Sequence, residues 1–138
     1  MFVVWMTSRI IACLLWCALL GWAAGILGIS SLTREALPEA AFLLSDKFAH
    51  FVAFTVGGWL AAATLRVSFP QLTVARAILI AIVLVAAFGA IDEIWQIFTP
   101  GRTGGDPYDW IADFLGSIAG ALLTLLTHAR LERLIARP

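Results

Sequence analysis

Residues Ile10 to Ile29, IIACLLWCALLGWAAGILGI, form a run of 20 residues without a charge. A helix needs about 20 apolar residues to cross the roughly 30 Å hydrocarbon core of a bilayer. Three more stretches have the same character, Asp46 to Leu65, Ala77 to Phe98 and Pro107 to Thr127, with their polar residues gathered at one end. Of the 138 residues 62% are hydrophobic and only 13% charged. Soluble domains carry about 45–50% apolar and about 25% charged residues, so this chain cannot cover a water-facing surface. A soluble enzyme and a disordered tail are excluded. The formal net charge of zero and the lack of a basic run argue against a nucleic-acid partner. The expected fold is all-α: a polytopic membrane protein with four transmembrane helices in one bundle, at about 10–29, 46–65, 77–98 and 107–127, forming one membrane domain over residues 1–138.

Trp22-Ala23-Ala24-Gly25 looks like a signal-peptide cleavage region, but the apolar run continues past it, which reads as a retained span. Cys13 and Cys17 share a helix face inside that run and read as small apolar residues rather than as a disulfide or metal pair. Gly21 and Gly25, and again Gly116 and Gly120, have the GxxxG spacing that lets helices approach closely. Either pair could serve contacts within the bundle or between copies of the chain.

Basic residues are split unevenly. Arg9, Arg66, Arg76, Arg130, Arg133 and Arg137 fall on one side of a four-span topology, and Arg34, Lys47 and Arg102 on the other. The positive-inside rule then puts both termini in the cytoplasm of a cell and the first and third loops outside. Glu35, Glu39, Asp46, Asp92, Glu93, Asp106, Asp109 and Asp113 all lie in the outer half, and only Glu132 in the inner. The expectation is an acidic mouth on the outer face of a plasma-membrane protein.

Helical spacing groups the residues of that mouth. Asp46 and His50 are four apart, as are Asp92 and Gln96; Asp109, Asp113, Gly116 and Gly120 follow steps of 4, 3 and 4 along one face. The glycines mark this face as helix-contacting, so the two aspartates should point into the bundle. Asp106 followed by Pro107 is an N-cap with proline at the first helical position. Ionisable residues at membrane depth are costly and default to a functional reading. His50 is expected to pair with an acid on a neighbouring span, or to transfer a proton or touch a ligand. Glu93 reads as a functional contact or as interhelical glue, and Asp92, pointing elsewhere, as solvated or capping. Arg102, in a Pro-Gly-Arg turn before a helix start, reads as an anion clamp or as the ion-pair partner of Glu93 or Asp109. Trp95 and Trp110 read as interfacial anchors.

These residues together resemble the VanZ-like family of bacterial membrane proteins. The likeness rests on Asp46-Lys47-x-x-His50-Phe51 opening one span and Asp92-Glu93-x-x-Gln96 closing another. Pro100-Gly101-Arg102 and Asp109-x-x-x-Asp113-x-x-Gly116-x-x-x-Gly120 complete it. It covers residues 46–123. One departure is visible: the family often has Asn where this chain has Asp113, which adds a charge. The resemblance implies a helical membrane protein of the cell envelope, in a family whose founding member is linked to resistance to the glycopeptide teicoplanin. It implies no reaction.

Three classes of function compete. A binding protein would hold a membrane lipid headgroup or a lipid-linked envelope precursor at the mouth, through Asp46, Lys47, His50, Glu93, Gln96, Arg102, Asp109 and Asp113. An enzyme acting on a lipid-linked substrate would use His50 and Glu93 as acid and base, yet no cysteine lies near them and Ser45 is the only well-placed hydroxyl. A transporter needs a polar path, and the inner halves of the spans hold no ionisable residue, which leaves an oligomeric lipid transporter. A one-histidine, several-carboxylate site for Mg2+ or Mn2+ has only generic support, and no metal or cofactor is expected. The binding reading is preferred.

Overall fold

The computed structural model describes residues 2–37 and 45–136. Pro38, Glu39 and Arg137 lie outside the described residues, and with them residues 40–44 of the first loop. The order of elements is α1 (Phe2–Ser30), a 3-10 turn (Arg34–Ala36), α2 (Asp46–Ser68), α3 (Val74–Ile97) and α4 (Pro107–Ala136). All four helices are long and apolar enough to cross a membrane, and the described residues contain no strand. Each of the four outruns, at one end or both, the apolar segment that announced it. A hydrophobic run measures the thickness of the lipid core, whereas a helix continues until its backbone is capped. Helix α3, expected from Ala77, starts earlier because the Thr73 side chain caps it by accepting from the Arg76 N–H.

The helices alternate in direction. At one end Trp16 donates to Ser68, and Arg66 pairs with Glu132 at 2.8 Å. At the other, Ser30 donates to Asp92 and Lys47 to Asp109. The start of α1 and the end of α4 therefore share one end of the bundle, and Asp92, Lys47 and Asp109 share the opposite end.

Lipid is as apolar as leucine, so burial of apolar surface does not drive helices together; close packing and interhelical hydrogen bonds do. The tightest seam is α2 on α4. A side chain added at Gly116 would run into the Phe51 carbonyl, one at Gly120 into the Thr55 carbonyl, and one at Gly58 into the Ser117 carbonyl. The Gly116–Gly120 face is thus consumed inside the chain and is not open to a second copy. The neighbouring core is made of Phe54, Ala61, Ala62, Ile78, Ala81, Val85 and Ala121.

Helix α1 packs differently. Gly21 and Gly25 are exposed and meet nothing, so this GxxxG pair makes no contact within the bundle. The helix is held by Trp22, whose indole lies over Gly57 and packs against Phe54 and Phe88 with centroids 5.4 and 5.3 Å away. Its Nε1–H donates to the Ala53 carbonyl at 2.9 Å. Cys13 and Cys17 are exposed, free thiols. Large apolar side chains such as Leu14, Leu79, Val83 and Leu126 point outward, as a bilayer requires.

Candidate functional site

The polar end is assembled in layers. Nearest the helix ends, Lys47 on α2 bridges Asp109 at 2.6 Å and Asp106 at 3.1 Å. Asp106 caps α4 as expected: its Oδ1 accepts the Tyr108 N–H at 2.8 Å. That bond, with the Lys47 ammonium, holds its carboxyl below the usual carboxylate range. One turn deeper, His50 Nδ1 and Asp113 Oδ1 share a hydrogen bond of 2.9 Å, with Asp113 fully buried. The His50 ring lies parallel to Phe54. Asp113 fits because Gly89 on α3 has no side chain; a Cβ there would stand 2.8 Å from Asp113 Oδ2.

Glu93 is buried and does not touch Arg102. Its Oε2 accepts the backbone N–H groups of Gly105 and Asp106, both at 3.0 Å, so it anchors the loop that leads into α4. The loop can double back on α3 because Gly105 adopts φ +79 and Gly104 sits against the Ile97 backbone, where a Cβ would not fit.

Two expectations need correction. Asp92 is neither solvated nor a cap: it is 1% exposed, and its Oδ2 accepts from Ser30 Oγ and Gln96 Nε2, each at 2.9 Å. The helical period turns it toward α1, a neighbour that the periodicity of α3 alone does not reveal. Arg102 pairs with neither Glu93 nor Asp109. Its Nη2 donates to Gln96 Oε1 at 3.1 Å, because Glu93 is already drawn under the loop and Asp109 toward Lys47. Ser30, Asp92, Gln96 and Arg102 form one hydrogen-bonded row, to which Thr99 adds a bond to the Ser30 carbonyl. Ser30, Thr99 and Gly89 were not singled out in the sequence; a hydroxyl or glycine at the end of an apolar run carries too little signal. Trp95 and Trp110 donate within the protein, to Ser31 and to the Ala86 carbonyl, and both keep exposed ring surface.

Between the tops of α1, α2 and α3 lies a cavity of about 430 Å³. Its polar wall carries Asp46, His50, Asp92, Gln96, Arg102 and Asp109, and its apolar wall Ile26, Ile29, Leu37, Ala53 and Phe54. Lys47, Glu93 and Asp113 stand behind these residues as supports. Of the eight residues expected at a site, five line the cavity; of the other three, Lys47 holds Asp109, Asp113 holds His50, and Glu93 holds the loop backbone. Among the described residues, two groups could approach a common cation: Asp46, His50 and Asp109, and His50, Glu93 and Asp113. Among the described residues three buried carboxylate oxygens accept no hydrogen bond: Asp92 Oδ1, Glu93 Oε1 and Asp113 Oδ2.

The VanZ/LLP1 family model matches residues 10–128. The chain belongs to this family. No curated protein and no solved structure matches it. The VanZ/LLP1 match takes in α1, beyond residues 46–123, and α1 supplies Ile26 and Ile29 of the apolar wall. The VanZ-like motif residues, scattered over three helices and a loop, converge on this one end. The chain is a multi-pass membrane protein of the VanZ/LLP1 family.

Proposed function

We propose that this VanZ/LLP1 protein binds the zwitterionic or amine-bearing headgroup of a membrane lipid or lipid-linked envelope precursor, at the outer face of the plasma membrane with both termini in the cytoplasm. The observation that carries this reading is the make-up of the cavity wall. Arg102 is tethered to a neutral amide, not to a carboxylate, and faces the same space as Asp46 and Asp109. A guanidinium suits a phosphate or carboxylate, and the acids suit an ammonium. Ile26 and Ile29 of α1, with Leu37 just after the 3-10 turn, suit the first carbons of an acyl or prenyl chain. Ligand pockets combine a mostly apolar lining with a few placed polar groups in this way.

Native mass spectrometry of the gently extracted protein tests the reading. The wild type should retain a lipid, and Ala49→Trp, whose indole fills the cavity that Ala49 lines, should lose it at normal abundance. A wild type that carries no lipid, or an Ala49→Trp protein that carries the same one, would sink the idea. Reporter fusions in the loop at Gly104 and in the Arg66–Arg76 loop test the orientation; Gly104 in the cytoplasm would invert it. A role in glycopeptide resistance is tested by teicoplanin susceptibility of cells with and without the protein.

A second reading rests on the His50–Asp113 hydrogen bond. A buried carboxylate that orients an imidazole is the arrangement of a general base, and His50 faces the cavity. In that case His50→Gln would abolish turnover of a lipid-linked substrate while the protein still retained its lipid.

A further inference from the structure

The buried carboxylates at the polar end are half used. Glu93 commits Oε2 to two backbone N–H groups and Asp113 commits Oδ1 to His50, while Glu93 Oε1 and Asp113 Oδ2 are buried without any partner. Glu93 is 5% exposed and Asp113 0%. A buried polar atom left unpaired is costly, and a buried charge more so. Two such oxygens beside one imidazole ask for a positive charge to share. The backbone prepares the space: Gly89, one turn before Glu93 on α3, lacks the Cβ that would displace Asp113 Oδ2, so that oxygen is turned to the α3 side where Glu93 stands.

Ligand atoms of His50, Glu93 and Asp113 lie within 4.8 Å of one another. Metal bonds to nitrogen and oxygen of about 2.0–2.2 Å put tetrahedral ligands of one ion about 3.3–3.6 Å apart, so side-chain rotations that draw the ligand atoms together by about 1 Å would close the set. We propose that His50, Glu93 and Asp113 bind a divalent cation of the Mn2+ or Zn2+ class at the floor of the cavity. One imidazole with two carboxylates is a mixed set that suits these ions better than Ca2+, which prefers oxygen alone. The Gly105 and Asp106 N–H groups on Glu93 Oε2 supply the outer-shell hydrogen bonds that fix a ligating carboxylate. The cavity, which His50 lines, is the route of entry. The neighbouring group of Asp46, His50 and Asp109 is the weaker candidate, since Asp46 is exposed and Lys47 already sits on Asp109. The proposal does not rest on the headgroup reading.

The test uses the full chain in detergent, stripped with a chelator and titrated with Mn2+ and, by competition, with Zn2+. One ion per chain should bind, and the spin-echo spectrum of bound Mn2+ should show coupling to an imidazole nitrogen. Glu93→Gln and Asp113→Asn should each weaken binding by about tenfold or more, and Asp46→Asn should leave it unchanged. If the first two variants fail to fold, the nitrogen coupling in the wild type decides. Three results would overturn the proposal: a wild type without saturable binding, a bound ion without nitrogen coupling, or binding lost in Asp46→Asn but kept in Asp113→Asn. So would an infrared band of a protonated carboxylic acid that disappears in Asp113→Asn, in protein that takes up no ion.

Discussion

The two glycine pairs of this chain have the same spacing and opposite fates. Gly116 and Gly120 lie under the carbonyls of Phe51 and Thr55, where no larger residue fits. Gly21 and Gly25 meet nothing and face outward. Helix α1 instead seats a large indole, Trp22, over Gly57 of α2, flanked by Leu19 and Ile26 on the core and by hydrogen bonds of Trp16 and Ser30. The difference teaches that GxxxG permits a close approach without specifying one. On α4 the glycines continue the face of Asp109 and Asp113, which is pinned to α2 by Lys47 and His50. On α1 the pinning residue is Trp22, one position round from Gly21, and it turns both glycines away from the bundle.

The comparison can be broken at its strongest point. Gly120→Leu should cost more than about 3 kcal/mol, because overpacking against backbone cannot be relieved by a rotamer change. Little folded protein should be recovered from membranes, and normal recovery would mean that α2 and α4 do not meet there. Removing the anchor of α1 comes next. Trp22→Ala should lower stability by about 2–3 kcal/mol, below the full range for a buried tryptophan because the ring is half-buried. Thermal unfolding in detergent measures it, and protease sensitivity of α1 should rise with it. An unchanged melting curve would show that α1 is held by something else.

Gly89→Ala sharpens the link between packing and site. The new methyl must push Asp113 aside, at about 1–2 kcal/mol, and the His50–Asp113 hydrogen bond should lengthen. The imidazole nitrogen resonances of His50 report this directly, and resonances identical to the wild type would place Asp113 elsewhere. The smallest effect is expected at the other glycine pair. Gly21→Leu and Gly25→Leu should stay within about 0.5 kcal/mol, as substitutions on an open face do. A shift in oligomeric state with unchanged monomer stability would show that this face pairs with a second copy.

Much of the geometry of the polar end was legible in advance. Depth and period placed Asp46, His50, Glu93, Asp109 and Asp113 at one end, and the glycines on the same face of α4 turned its two aspartates inward. Asp92 and Arg102 were misread for one common reason. Each has neighbours from several elements, and which one wins depends on what the others have already taken. Glu93 is claimed by two backbone N–H groups of the returning loop, an interaction with no signature in side-chain spacing. That leaves Arg102 to Gln96, and Asp92 to Ser30 at the end of α1.

The amino-acid sequence by itself determined that the chain is a bundle of four membrane helices with most of its acids at one end, because length and hydropathy act locally and the bilayer tolerates few alternatives. It also determined the family, through residues whose order is preserved along the chain. Only the tertiary structure decided which glycines touch a neighbour, which acid each cation holds, and that an amphipathic cavity opens beside α1. Those outcomes depend on the rotation and axial shift of each helix against the others, and such offsets are set by contacts between residues far apart in the chain, which no single helix encodes.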